Sequence, residues 1–410
     1  VLWRTGKNGY TAMDWYDAAD PRPDYYRNLP SYYWMDNKDY GRLNFEKAAW
    51  AKDAWINDIP EYTHLNWDRL YNVNWNNYDA DGLRRSKYAV EERRVDQNDI
   101  NLNASVKWMA SKIFTLTGGV NYKWNRTEYY KKMDDLLGGD YYLNIDQFAE
   151  RDFASSPTMV QNDLDYFLEH GEAKALKEGD KYGYDYYAHV RNANVWANGA
   201  LDLGGFKANL ALEAGYAKFW REGLVRKGLF AGLDENGNEM MYEGKVLTTY
   251  DEKTGKAITS KGNSEVSDFL TYSAKLGLQY HFEGGHRIYA NGAYFNDAPT
   301  FAQSFISPRT RNSLVPNLTT VKTASADLNY QYSNNGYNFR ITGFWTNIAD
   351  QTDMMSFYDD SQNSFVNFAM NGIDQRHPGL EMGFKIPLPV QGLSVAGALS
   401  WGEYIYTSTP

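Results

Sequence analysis

The histidines and acidic residues are the first candidates for chemistry in this chain. The six histidines are His64, His170, His189, His281, His286 and His377. None of them is spaced as in an HExxH zinc motif, and the sequence contains no GxSxG nucleophile motif. Cysteine is absent, which removes thiolate nucleophiles, disulfides and zinc–thiolate sites. We therefore expect no catalytic residues, no metal site and no cofactor.

The acidic residues do not change that expectation. Two carboxylates suffice for glycoside hydrolysis, but with 52 acidic residues pairs occur by chance, and no pair stands out by its spacing. Residues 234–239 offer oxygen ligands for calcium without the full twelve-residue loop pattern, so a turn is the better interpretation. The net charge of -10 disfavours nucleic acid as a partner, because phosphate binding needs a basic surface. The sequence predicts a protein that is not an enzyme.

Aromatic and charged loop residues are better functional candidates. The chain has 34 Tyr and 13 Trp, whose rings suit binding surfaces and membrane-interface girdles. A first set, whose rings could hold a sugar or a peptide, is Trp15, Tyr16, Tyr25, Tyr26, Arg27, Tyr32, Tyr33 and Trp34. A second set, suited to acidic substrates or lipopolysaccharide phosphates, is Arg309, Arg311 and Asn312. The alternative for both sets is packing of one loop on another.

Strands must position these candidates. Every second residue is apolar over 270–282, which indicates a strand with one apolar and one polar face, and the pattern recurs over 323–332. Short turns alternate with long connections, which we expect near 131–181, 228–265, 297–320 and 352–374. Outer-membrane barrels have short periplasmic turns and long outer loops, whereas a sandwich has no reason to place its long loops at one end.

The sequence therefore predicts an all-β fold, an antiparallel up-and-down transmembrane β-barrel segment of about ten strands. Residues 1–83 are expected to form a long, aromatic-rich extracellular loop region, and residues 84–410 the barrel strands. No stretch reaches the roughly 18 apolar residues of a spanning helix. The alternation turns four side chains toward the lumen or a plug: Lys275, Gln279, Asp327 and Arg340. A non-enzymatic surface protein that binds glycans or proteins, with a soluble sandwich fold, and a passive porin-like channel are the alternatives.

Residues 288–332 resemble the barrel of the TonB-dependent receptors. A strand leads into Ala298-Pro-Thr-Phe301, followed by Pro316-Asn-Leu318, where the family has the order Asn-Pro, and then by the next alternating strand. Further segments, 135–142, 147–152, 342–346 and 353–358, are similar to one large branch of the family. The resemblance covers residues 86–406.

The resemblance implies the C-terminal part of a 22-stranded outer-membrane barrel, in a Gram-negative bacterium, that imports a scarce nutrient using energy supplied through TonB. It implies the TonB complex as a partner through a plug domain, which we do not find in this chain. Outer-membrane lipid and lipopolysaccharide, a surface lipoprotein, and a small-molecule, glycan or peptide substrate are further expected partners. Val1 is not a methionine, and residues 393–406 read as a strand still running when the sequence stops, so we expect a part of a longer protein.

Overall fold

One large sheet dominates the computed structural model, which describes residues 1–34, 43–359 and 364–408. Its strands pair antiparallel in the order β1-β2-β3-β6-β7-β11-β12-β13-β14-β15-β16. Their bounds are β1 Leu2–Trp15, β2 Tyr88–Met109, β3 Phe114–Asp135, β6 Lys181–Asp202, β7 Phe206–Gly223, β11 Ser267–His281, β12 His286–Asp297, β13 Val321–Asn334, β14 Tyr337–Asp359, β15 Ser364–Pro387 and β16 Ser394–Gly402. Each strand pairs with its neighbour along this path, so the predicted all-β, antiparallel up-and-down fold is confirmed.

Smaller elements fill the connections. The short strands are β4 Tyr142–Leu143, β5 Ala175–Leu176, β8 Met241–Tyr242, β9 Lys245–Val246, β10 Gly262–Asn263 and β17 Ile405–Tyr406. The helices are α1 Pro30–Trp34, α2 Phe45–Ile56, α3 Pro60–Thr63, α4 Trp67–Trp75, α5 Gln147–Phe153, α6 Leu164–His170 and α7 Phe301–Ser304, with 3₁₀ turns at Tyr26–Asn28, Gly228–Phe230 and Glu283–Gly285. Among the helices of the described ranges, none combines the length and the apolar character that a membrane crossing requires.

Short and long connections alternate between the strands from β1 to β14. The short turns are 110–113, 203–205, 282–285, 335–336 and 388–393, and the long loops are 16–87, 136–180, 224–266 and 298–320. The expected long connection at 352–374 is wrong, because β14 and β15 pair as far as Asp359 and Ser364. Their register shifts between Ile348 and Asp353, which breaks the side-chain alternation there while backbone pairing continues.

The first fourteen residues also differ from the prediction of a loop over 1–83. Leu2 to Trp15 form β1, which pairs with β2 along its entire length. Gly6 and Gly9 interrupt the apolar alternation, so the sequence does not predict a strand there. Backbone pairing with β2 and the ion pair between Arg4 and Asp99 hold β1 in the sheet instead. The rest of 1–83 is loop with helices α1 to α4 in the described part.

The register builds an apolar band on one face of the sheet near the short turns. One row of directly paired residues crosses seven neighbouring strands and contains Val106, Gly118, Ala197, Leu212, Ala274, Tyr294 and Ala324. The band is open to its surroundings: Val106 and Leu270 are each 73% exposed and Leu328 is 61% exposed.

The opposite face is polar and hydrogen-bonded from strand to strand. Asn291 Nδ2 donates to Asp327 Oδ1 at 2.9 Å, and Arg340 donates to Asn329 Oδ1 at 3.1 Å. The ammonium of Lys275 lies 5.1 Å from the ring centre of Phe295, and Gln279 contacts the imidazole of His281. The four side chains expected to face the lumen thus share this polar face, and their contact with a plug stays a prediction.

The hydrophobic core lies at the long-loop end. One cluster contains Tyr16, Ala89, Met133, Leu136, Tyr142, Leu176 and Tyr182. A second contains Leu70, Tyr88 and Leu137, and a third joins Leu164 and Phe167 of α6 to Ala231. Loops and strand ends are therefore packed together at this end, whereas the other end of the sheet leaves its apolar side chains exposed.

Candidate functional site

A cavity of about 210 Å³ lies where the loop ends of β1, β2, β3 and β6 meet four long loops. Arg93 and Lys131 line it from paired positions of β2 and β3, and Tyr182 of β6 pairs with Lys131. Tyr16, at the start of the loop 16–87, and residues of the loops 136–180, 224–266 and 298–320 contribute the remaining wall. Residues distant in sequence thus meet at one site on the polar face of the sheet.

A buried ion cluster forms the floor of this cavity. Lys131 Nζ lies 2.9 Å from Asp14 Oδ2 and also pairs with Glu91, whose carboxylate is fully buried. The hydroxyl of Tyr182 donates to Asp14 Oδ2 at 2.7 Å and approaches Glu91 Oε2 at 3.1 Å. Arg93 pairs with the other oxygen of Glu91. Each charge here has a partner, as burial requires.

Lys227 lies in the loop after β7, and its buried ammonium lines the cavity. Its side chain is 7% exposed, and Nζ donates to Asn162 Oδ1 at 2.6 Å. The next residue, Gly228, lets the loop pack closely, since a Cβ there would overlap the carbonyl oxygen of Thr158. Burial lowers the pKa of Lys227 to about 8; Asp146 opposes that shift, and the nearby Lys131 and Arg221 add to it.

Arg309 adds a second cation from the loop after β12. Its guanidinium lies 5.2 Å from the ring centre of Tyr184, which also lines the cavity. The side chain is exposed, so the stacked ring orients the guanidinium while its N–H groups stay accessible.

Asp146 and Tyr16 are held by helix α5. Asp146 Oδ1 accepts from the backbone N–H groups of Phe148 and Ala149 at 3.1 and 3.2 Å, which caps the helix. Tyr16 donates to Glu150 Oε1 at 2.7 Å. Burial, together with this hydrogen bond, raises the pKa of Tyr16, so the hydroxyl remains protonated.

The structure splits the first predicted set. Tyr16 lines the cavity, whereas Tyr25, Tyr26, Tyr32 and Tyr33 stack edge to face in sequence, with centroid distances of 4.8, 5.6 and 5.4 Å. Of the remaining members, Arg27 donates to the hydroxyl of Tyr26, Trp15 packs against the cluster of Leu70, Tyr88 and Leu137 with the guanidinium of Arg22 above its ring, and Trp34 is exposed. Their role in ligand binding stays a prediction.

The second predicted set is split as well. Arg309 lines the cavity, but Arg311 lies over the ring of Phe230, and Asn312 is buried beside Arg221. Arg221 also donates to the carbonyl oxygens of Pro308 at 2.6 Å and Ser260 at 2.8 Å. Asn312 thus helps to fasten two loops to β7, which is the loop-on-loop alternative.

Sequence reasoning missed most of the charged lining. Asp14, Arg93 and Lys131 lie in strands whose register, not their spacing, brings them together, and Lys227 lies in a loop without a motif. One signal was present: Tyr182 and Tyr184 stand two residues apart at the start of β6, and both line the cavity.

No protein-family model matches this chain, and no curated protein sequence does. Among solved structures it is similar to the copper transporter OprC, at 14% identity and a TM-score of 0.48 over 77% of this chain and 39% of that one. It is similar to the FrpB iron transporter from Neisseria meningitidis, at 13% identity and a TM-score of 0.44 over 78% of this chain and 40% of that one. It is also similar to the ferric yersiniabactin uptake receptor FyuA from Yersinia pestis, at 10% identity and a TM-score of 0.38 over 78% of this chain and 37% of that one. The chain spans about two fifths of the length of these structures. OprC, FrpB and FyuA are TonB-dependent receptors.

Proposed function

We propose that this chain is part of an outer-membrane receptor that captures a scarce nutrient at its outer loops and imports it by energised transport. The observation that carries the proposal is the division of one sheet into two ends. Near the short turns an apolar band is exposed on one face, and at the other end loops pack around a charged cavity.

The apolar band has the dimensions of a lipid contact. In β11 it runs from Leu270 to Tyr280, and about ten steps of roughly 3.3 Å, tilted by about 45°, give a height of about 23 Å, close to the roughly 25 Å of the apolar band in outer-membrane barrels. In water such a continuous apolar surface would drive aggregation, whereas hydrocarbon solvates it without cost. The polar opposite face suits a water-filled or plugged lumen.

The loop end suits ligand capture. Its cavity joins residues of several strands and loops, and loops on a rigid sheet are where binding residues concentrate. By the resemblance of residues 288–332, the receptor works with the TonB complex through a plug domain, in the outer membrane of a Gram-negative bacterium, in contact with lipid and lipopolysaccharide. A surface lipoprotein and a small-molecule, glycan or peptide substrate belong to the same proposal.

The test uses the full-length protein in cells. We expect it in the outer-membrane fraction, migrating faster in detergent gels before boiling than after. Nutrient-dependent growth that requires this protein should be lost when TonB is deleted and restored by a TonB plasmid. A detergent-free soluble protein would contradict the membrane location, and uptake that persists without TonB would indicate a passive channel.

A further inference from the structure

The charges that line the cavity do not balance. Arg93 pairs with Glu91, and Lys131 pairs with Asp14 and Glu91. Lys227 and Arg309, by contrast, have no ion pair with any carboxylate in the described ranges. The ammonium of Lys227 donates to the neutral amide oxygen of Asn162. Within the described residues, the other two of its three N–H groups have no protein acceptor.

Within the described residues, neither carboxylate that lines the cavity forms an ion pair with Lys227. Asp14 accepts from Lys131 and Tyr182, and Asp146 spends Oδ1 on the N-terminal turn of α5. Burying an ammonium without a directly paired carboxylate is costly, so a fold that keeps Lys227 in this position leaves a favourable place for an anion. Burial is the main cause of the lowered pKa of Lys227, and the charge of Asp146 offsets it only in part.

We propose that the cavity binds its ligand through a carboxylate or phosphate group held between Lys227 and Arg309. This inference rests on the proposed receptor function and names the chemical class of its substrate. The guanidinium of Arg309 offers a fork that matches two anionic oxygens, and Lys227 supplies a point charge from the opposite loop.

The walls and the size limit what else can enter. The rings of Tyr16, Tyr142, Tyr182 and Tyr184 line the same space and offer apolar faces with hydroxyl edges. At about 210 Å³ the cavity is smaller than the roughly 300 Å³ at which drug-sized sites begin. It therefore holds a small anion, or the anionic end of a larger ligand that extends into the loops.

The test measures binding of succinate and of inorganic phosphate to the full-length protein in detergent, by calorimetry at pH 7, with sucrose as the neutral probe. The variants are Lys227→Met and Arg309→Gln, and Lys253→Met, an exposed lysine of the same loop as Lys227, is the matched control. Because Arg309 is exposed, its variant keeps the fold even where Lys227→Met perturbs a loop.

We expect at least one anion to bind with a Kd below about 1 mM, and both variants to weaken it by about tenfold or more. Lys253→Met should bind as the parent does. Preference for succinate identifies a carboxylate ligand, and preference for phosphate a phosphorylated one. Binding of neither anion, or parent-like binding by Arg309→Gln, overturns the inference. TonB-dependent uptake by a protein that binds neither anion would leave the receptor function standing.

Discussion

Lys131 on β3 reaches past β2 to Asp14 on β1, and the two side chains meet with Nζ and Oδ2 2.9 Å apart. The cluster continues to Glu91 on β2 and Tyr182 on β6. Four neighbouring strands are thereby joined at their loop ends by side chains as well as by backbone pairing. The cavity is built on this cluster, so its shape depends on these charges remaining paired.

Replacing Lys131 with Met should therefore destabilise the loop end strongly. The change leaves Asp14 without a counter-charge in a buried site, and breaking such a pair costs about 3–5 kcal/mol. Lys261→Met, which removes a partly exposed partner of Asp165, should cost about 1 kcal/mol or less. Thermal unfolding in detergent, followed by circular dichroism, measures both. Equal losses of stability in the two variants would show that the buried cluster stabilises the protein no more than an exposed ion pair does.

The apolar band yields a prediction from two adjacent residues. Val106 lies on the exposed apolar face of β2 and Ser105 on the polar face. If lipid covers the band, Val106→Lys should make folding into vesicles less favourable by about 1–2 kcal/mol, while Ser105→Lys changes it little. The cost is below the roughly 2–4 kcal/mol of the bilayer midplane because Val106 lies close to the short-turn end of β2. Urea titration of the vesicle-embedded protein measures the difference. Parent-like stability of Val106→Lys would argue that the band faces water.

Lys227 should make stability depend on pH. Its folded-state pKa of about 8 lies below the unfolded value of about 10.4, so between these values the unfolded chain binds the extra proton. The stability of the parent relative to Lys227→Met should therefore be lowest below pH 8 and rise with pH up to about 10.4. Urea unfolding across pH 7–10.5 tests this, with Lys253→Met as the control. A difference that does not vary with pH would contradict the buried, unpaired ammonium.

Arg221 should hold two loops against the sheet. Its guanidinium donates to carbonyl oxygens of Pro308 and Ser260 and to Asn312, and charged hydrogen bonds contribute about 1.5–3 kcal/mol each. Arg221→Met should accelerate proteolysis within 224–266 and 298–320 by more than about tenfold. Lys256→Met, which removes an exposed pair with Glu265, should leave cleavage unchanged. Faster cleavage in both variants would show that the effect is not specific to the contacts of Arg221.

Most strands could be predicted from the sequence, because in a strand with one apolar and one polar face the apolar and polar side chains alternate with a period of two, as in β11 and β13. β1 was not predicted, because its glycines interrupt the alternation of apolar and polar side chains. It is a strand because its backbone pairs with β2. The end of β14 was missed because a register shift inside the pair breaks the alternation.

The site was much less readable. Tyr16 and Arg309 were candidates for separate reasons, and nothing in the spacing of the chain indicates that they line one cavity. The meeting of Asp14 with Lys131, 117 residues apart, follows from the order of the strands. The solitary acceptor of Lys227 is a property of the packed loops, which no local pattern encodes.

The unequal connections at the two ends of the strands also bear on biogenesis. A turn such as 335–336 is two residues long, whereas 136–180 carries helices and buried polar side chains, among them Asn144, Gln161 and Asn162, that hydrocarbon would not admit. In the proposed receptor the tight turns stay on the periplasmic side, from which the protein reaches the membrane, so the long loops must cross the bilayer. The folded cap and its cavity can therefore form only after the loops have crossed.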